Sequence, residues 1–161
     1  MKSSSRKSFV LRAILLLSLI AGWSVKAHAA QQPTSSIPTA VLIQPAALAS
    51  LLQSTTSPKP LILQVGSHVL YAEAHIPGSE YAGPAGDDAG LQTLRNRVAK
   101  LPKSAAIILY CGCCPWARCP NIAPAFSQLH SLGFTNVKVL YLADDFGTNW
   151  VDKGYPSTKG R

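Results

Sequence analysis

Residues 105–122 read AAIILYCGCCPWARCPNI. An apolar run leads straight into a segment that holds all four cysteines of the 161-residue chain. A continuous apolar run of this length, closed by Cys111 and Gly112, predicts a strand buried on both faces. On the far side, NIAPAFSQLHSLG (121–133) has apolar residues at helical spacing and a glycine to stop it. The cysteines therefore sit where a buried strand turns into a helix. In open α/β sheets, that carboxyl-end position is where ligands bind.

Working outward, LILQV (61–65) is a second apolar run, bounded by Pro60 and Gly66, and VKVLYL (137–142) is a third. Val41, Leu42 and Ile43 make a short edge strand. Pro45 suits the first turn of a helix that AALASLLQS continues. Leu91, Leu94, Val98 and Leu101 recur at helical spacing, with Asp88 as cap and Arg97 and Lys100 near the end. Residues 75–90, rich in glycine and proline, read as loop. Strands alternating with helices predict an α/β domain with a mostly parallel central sheet, flanked by helices on both faces.

The start of the chain reads differently. Basic Lys2, Arg6, Lys7 and Arg12 precede the apolar AILLLSLIAGW and the sequence Ala27-His28-Ala29, the pattern of an export signal covering residues 1–29. The apolar run is short for a membrane span and the leader has no cysteine for a lipid anchor, so no stable membrane insertion is expected after cleavage. SRKSFVL (5–11) resembles a twin-arginine signal with lysine at the second arginine, which favours ordinary unfolded export. Residues 30–40 form a polar lead-in, 41–156 the domain and 157–161 a tail. The leader carries five of the fifteen basic residues and no acid, so the formal charge of +8 falls to about +3 without it. The rest form no basic run, and no nucleic-acid footprint is present. An exported chain meets an oxidising compartment, where disulfides persist.

Three chemistries fit four cysteines in one loop. A loop opening onto a helix N-terminus directs N–H groups and the helix dipole at its first residues, which stabilises a thiolate. On that reading Cys111 is the nucleophile and Arg118 orients an anion with its two-pronged guanidinium. Cys111 and Cys114 also form a C-x-x-C pair, with Cys114 or Cys119 able to act as resolving or disulfide partner. Loop length favours a Cys114–Cys119 bridge, which leaves Cys111 free. Finally, four thiolates could clamp a soft ion such as Cu(I) or Zn(II), although zinc ligands usually come as two separated pairs.

The chain resembles single-domain rhodaneses, a sulfurtransferase-like family. LILQV followed by AEAHIPGSEYAG is similar to the family's strand and A-x-x-H-I-P-G-A segment. ILYC resembles the strand that ends in the family's active-site cysteine, and LGFTNVKVLYLADDFGTNWVDKGYP its closing segment. CGCCPWARCPN is similar to an exported subgroup with a cysteine-rich loop. The resemblance spans roughly residues 41–156. It implies a persulfide cycle without a resident cofactor: a small anionic sulfur donor such as thiosulfate loads the cysteine, and a thiol or cyanide takes the sulfur away. Carried over, the nucleophile falls on Cys111 and the anion-orienting arginine on Arg118. The backbone of 112–118 forms the cradle, with Gly112, Cys114, Trp116 and Ala117 against the substrate.

Two departures stand out. The family's usual spacing leaves four residues between cysteine and arginine; six separate Cys111 from Arg118, and counting back four gives Cys113 as the alternative nucleophile. Gln64 and Gly66 also stand where the family commonly has an Asp and Arg pair. Elsewhere, His75 reads as a structural turn residue and His68 and His130 as surface groups. Trp150 and Tyr155 belong to the closing core, and Asp144 and Asp145 form a solvated loop pair. Trp116 either caps the pocket or packs beneath the loop.

Overall fold

The computed structural model describes residues 36–55 and 58–160. The 1–29 leader and the first part of the lead-in lie outside the described residues. Five strands form one sheet: β1 (Leu42–Ile43), β2 (Leu61–Gln64), β3 (Glu80–Tyr81), β4 (Ile107–Tyr110) and β5 (Val137–Leu140). Their spatial order is β1-β5-β4-β2-β3 and every pairing is parallel. Four helices accompany them: α1 (Pro45–Gln53), α2 (His68–Glu73), α3 (Asp88–Val98) and α4 (Ile122–Ser131).

The central strands bury alternate residues on opposite faces, as the period of two requires. Leu63, Val65, Ile107, Leu109, Val137 and Val139 face a core built with Leu94 and Val98 of α3 and Ile122, Ala125 and Leu129 of α4. Ile62, Ile108, Tyr110 and Leu140 face the other core, built with Leu48 and Ala49 of α1 and with Ile76, Phe146 and Trp150. Helices thus cover both faces, and the strands read as unbroken apolar runs because neither face meets water.

Some elements differ from the sequence reading. β4 starts at Ile107 rather than Ala105, and β5 ends at Leu140 rather than Leu142. Residues 75–90 are not all loop: Glu80 and Tyr81 pair with Leu63 and Gln64 as the edge strand β3. Two residues carry too little pattern to be read as a strand. Helix α2 was likewise not anticipated; it is one short amphipathic turn and a half, with Tyr71 buried while Val69 and Leu70 are exposed. The cap of α3 is Asp87, whose side chain accepts from the Gly90 N–H at 2.8 Å; Asp88 is the first helical residue. α4 stops as expected, with Gly133 at φ +85° just beyond it. Ile37 of the lead-in is buried in the α3/α4 core, and Thr158 exchanges backbone hydrogen bonds with His75.

Helix α3 lies unusually close to the segment before it. A Cβ at Gly90 would stand 1.6 Å from the Pro84 carbonyl oxygen. Glycine at a helix interior normally costs about 1 kcal/mol relative to alanine, so Gly90→Ala would ordinarily stabilise. Here the collision must push α3 off the core. We expect a net loss of about 1–3 kcal/mol, read as a lower denaturant midpoint with unchanged slope.

Candidate functional site

Parallel pairing of β2 with β4 matches Gln64 to Tyr110, so both strands end side by side. From β2 the chain crosses to β3 on one side, and from β4 it crosses to β5 on the other. The direction of winding reverses between them, which opens a crevice at their carboxyl ends. Gly66 leaves β2 and Cys111 leaves β4 at that point. A Cβ on Gly66 would come within 2.7 Å of Cys111 Sγ, so only glycine leaves room for the sulfur. Gln64 is buried at the same junction. Its Nε2 donates to the Cys111 carbonyl at 3.1 Å, and its Oε1 accepts from the Gly66 N–H at 3.1 Å. Where the family commonly has a charged pair, a neutral amide ties the two strand ends together.

Cys111 continues the alternation of Ile107 and Leu109 and points its side chain towards the α3/α4 core. Gly112 then takes φ +72°, and a Cβ there would strike Phe146 Cβ at 2.6 Å. This left-handed step turns the chain so that Cys113 Sγ lies 3.1 Å from Cys111 Sγ. The loop is strapped to the segment after β5 by Phe146 N–H to the Gly112 carbonyl and Trp116 N–H to the Ala143 carbonyl, each 3.0 Å. Trp116 packs its ring on Tyr141, with centroids 5.1 Å apart, and so holds the loop down. A single 3-10 turn, Trp116–Arg118, follows.

The sulfurs converge. Cys113 Sγ is 3.3 Å from Cys114 Sγ, and the sulfurs of Cys111, Cys113 and Cys119 all lie within 4.8 Å of one another. All four cysteines are free thiols. Cys114 touches only Cys113 of that trio, with the Arg118 carbonyl 3.9 Å away as a longer, second acceptor for its S–H. Asn121 completes the cluster: its Nδ2 donates to Cys111 Sγ at 3.3 Å and Cys113 Sγ at 3.5 Å. Its Oδ1 accepts from the Gly86 N–H at 2.8 Å, which fixes the amide with its donor side to the sulfurs.

These contacts divide the thiols electrostatically. Cys113 is held well below the usual thiol range, because the Cys111 and Cys119 thiols donate to it first, with Cys114 and Asn121 adding to them. Cys111 is pushed far up, since its proton is engaged by Cys113 and Cys119 and burial disfavours its charge. Burial, then donation to Cys113, raises Cys114. Cys119 receives the Cys111 hydrogen bond, which pulls it down, but donation to Cys113 and burial outweigh this and leave it raised. One negative charge is therefore favoured in the cluster, on Cys113.

Access follows the same order. Cys111 and Cys119 are 5% and 6% exposed, whereas Cys113, Cys114 and Trp116 are half-buried and Ala117 and Arg118 exposed. Beneath the loop, Cys111, Gly112, Cys114, Trp116 and Cys119 line a void of about 10 Å³, scarcely the volume of one water. The N–H groups of Arg118 and Cys119 bond within the 3-10 turn, to Pro115 and Trp116, so the backbone of 112–118 is not an open ring of donors. The trio Cys111, Cys113 and Cys119 could reach a single soft ion through three thiolates.

The sequence singles out the cysteines and Arg118 and marks Gln64 and Gly66 only as a departure from the family's charged pair; it gives Asn121 no role at the site. Asn121 is the cap residue of α4, yet its side chain makes no cap hydrogen bond. His75 is buried against Tyr71, with ring centroids 4.0 Å apart and Nδ1 2.8 Å from the Tyr71 carbonyl, a structural role as expected. His68 and His130 are exposed and Trp150 is fully buried. Asp145 does more than meet solvent: it accepts from the Thr148 N–H at 2.7 Å.

The fold and its crevice have counterparts among solved structures. The Alr3790 protein from Anabaena sp. superposes with a TM-score of 0.55 at 24% identity, covering 73% of this chain and 92% of that one. Thiosulfate sulfurtransferase from Pseudomonas aeruginosa gives a TM-score of 0.53 at 23% identity, covering 74% of this chain and 19% of that one. An anaerobic ergothioneine biosynthesis enzyme from Chlorobium limicola gives 0.53 at 21% identity, with 74% and 28% covered. Identities this low establish a shared fold. No curated protein matches the chain in sequence. The family model described as Rhodanese-like domain matches residues 44–142, from just before α1 to just past β5, and the chain belongs to that family.

Proposed function

We propose that this domain is a sulfurtransferase that carries sulfane sulfur as a persulfide on Cys113. The observation that carries the reading is the focus of donors on Cys113 Sγ: thiols at 3.1 and 3.3 Å and the Asn121 amide at 3.5 Å. A sulfur so surrounded is a thiolate near neutral pH and is reachable from solvent, two requirements for attack. The strand-end expectation gave the attack to Cys111. Its burial and its role as a donor favour Cys113 instead, which also restores four residues between nucleophile and Arg118.

The reaction balances as follows. The Cys113 thiolate attacks the outer sulfur of thiosulfate, the S–S bond breaks, and sulfite leaves with the bonding pair. Arg118, exposed at the loop's far end, suits an anion entering from solvent. A thiol or cyanide then removes the terminal sulfur and returns the thiolate. The 1–29 leader would deliver this chemistry to an exported, periplasmic or secreted location. A soft-metal module is the second reading, favoured by the three converging sulfurs. A thiol count on native protein separates the two, since a metal module gains titratable thiols when a chelator is added.

Thiosulfate treatment should release one equivalent of sulfite per chain, and Cys113→Ser should abolish that release. A wild-type chain that releases no sulfite would sink the proposal. Arg118→Ala should raise KM for an anionic donor roughly tenfold while sparing kcat, since a charge-assisted hydrogen bond contributes about 1.5–3 kcal/mol. Asn121→Ala removes the N–H that both sulfurs share, and should slow alkylation of the reactive thiol at neutral pH by about tenfold. Equal alkylation rates would show that the amide contributes nothing to thiolate stability.

A further inference from the structure

The persulfide on Cys113 would not face solvent alone. Directly behind it lies Cys111 Sγ, 3.1 Å away, buried and out of reach of external thiols. Two residues apart in an extended strand, the sulfurs would lie on one face with Cα atoms about 6.6 Å apart, near the far limit for bridged cysteines. The left-handed Gly112, at φ +72°, folds the chain and closes that gap. Asn121 Nδ2 touches both sulfurs, at 3.3 and 3.5 Å, so one donor steadies the pair. In the sulfur-transfer reaction as proposed this second thiol only donates to the Cys113 sulfur, and no step uses its own sulfur as a nucleophile.

We infer that Cys111 resolves the Cys113 persulfide, so that the domain releases sulfide and is left with a Cys111–Cys113 disulfide which an external dithiol must reduce. The inference rests on the persulfide reading above and names the fate of the sulfur. Cys111 sulfur attacks the Sγ of Cys113, a new Sγ–Sγ bond forms, and the bond to the terminal sulfur breaks. The terminal sulfur leaves with the bonding pair and, with the Cys111 proton, departs as hydrosulfide. Charge is conserved: a persulfide anion and a thiol become a disulfide and HS⁻. The sulfane sulfur is reduced by two electrons and the two cysteine sulfurs supply them. A reduced dithiol, exchanging through a mixed disulfide, resets the pair.

The other thiols are less well placed for this step. Cys114 also lies near Cys113, at 3.3 Å, but neighbouring residues close a disulfide only by distorting the peptide between them. Burial favours Cys111 for another reason: its sulfur lies on the inner side of Cys113, while a donor reaches half-buried Cys113 from solvent, so a sulfur delivered from outside and the buried thiol meet Cys113 Sγ from opposite sides.

The test is a single turnover on fully reduced full-length protein, given thiosulfate with no other thiol present. The expected result is about one equivalent of sulfide per chain, a final mass lower than the reduced protein by two hydrogens, and a peptide map joining Cys111 to Cys113. Cys111→Ser, which keeps a donor beside Cys113 but cannot form the disulfide, should release no sulfide and should keep the added sulfur on Cys113. A dithiol should restore repeated turnover to the wild-type protein. If wild-type protein keeps its extra sulfur and releases none, the resolving role is overturned while the persulfide reading stands. If Cys113→Ser takes up sulfur on Cys111, or the map joins another pair, the assignment of both thiols is overturned. If neither wild-type protein nor Cys111→Ser takes up sulfur, the persulfide reading itself fails. Should Cys111→Ser not fold, the sulfide yield and peptide map of the wild-type chain decide alone.

Discussion

The parallel ladder between β2 and β4 pairs Leu61 with Ile107 and continues to Gln64 opposite Tyr110. Everything at the site depends on this register. It brings two strand ends to one level, and the Gln64 amide then bonds across to the Cys111 carbonyl, so the loop departs from a fixed point. A register slip of one residue would turn Cys111 from the α3/α4 core to the opposite face. Gly66 belongs to the same constraint, because any side chain there would occupy the place of the Cys111 sulfur.

From that anchored start, the loop concentrates four sulfurs in a buried to half-buried site. Gly112 turns it, Phe146 and Ala143 strap it, and the Trp116 ring holds it on Tyr141. Thiols forced together cannot all ionise, so one charge is shared out by hydrogen bonding, and it is favoured on a sulfur that gathers several donors while still meeting solvent. Cys113 meets both conditions. Asn121, oriented by the Gly86 backbone, links this cluster to the segment leading into α3. Cys111, Gly112, Cys114, Trp116 and Cys119 enclose a void of only about 10 Å³.

How far the sequence was legible varied with the kind of signal. AAIILY, LILQV and VKVLYL announced buried strands because both faces of a covered parallel sheet demand apolar residues. Gly133 and Pro45 marked helix limits through backbone preferences that act locally. By contrast, Glu80 and Tyr81 form a strand only because β2 offers an edge, and nothing in two residues reveals that. Helix α2 is short and leaves Val69 and Leu70 exposed, so its periodicity is weak. The cysteine loop was located by its place between strand and helix. Its departure from the family's spacing was visible too, and Cys113 stood as the alternative from a count alone.

The sequence by itself determined the α/β class, the parallel sheet and the position of the cysteine loop, since apolar period and backbone-breaking residues are local properties. Tertiary structure decided how the four thiols differ. Their hydrogen-bond donors come from Asn121 and from one another, and their burial depends on packing against α4 and the segment after β5. Which sulfur is sealed and which is charged depends on distances between residues far apart along the chain. Such distances exist only once the chain has folded.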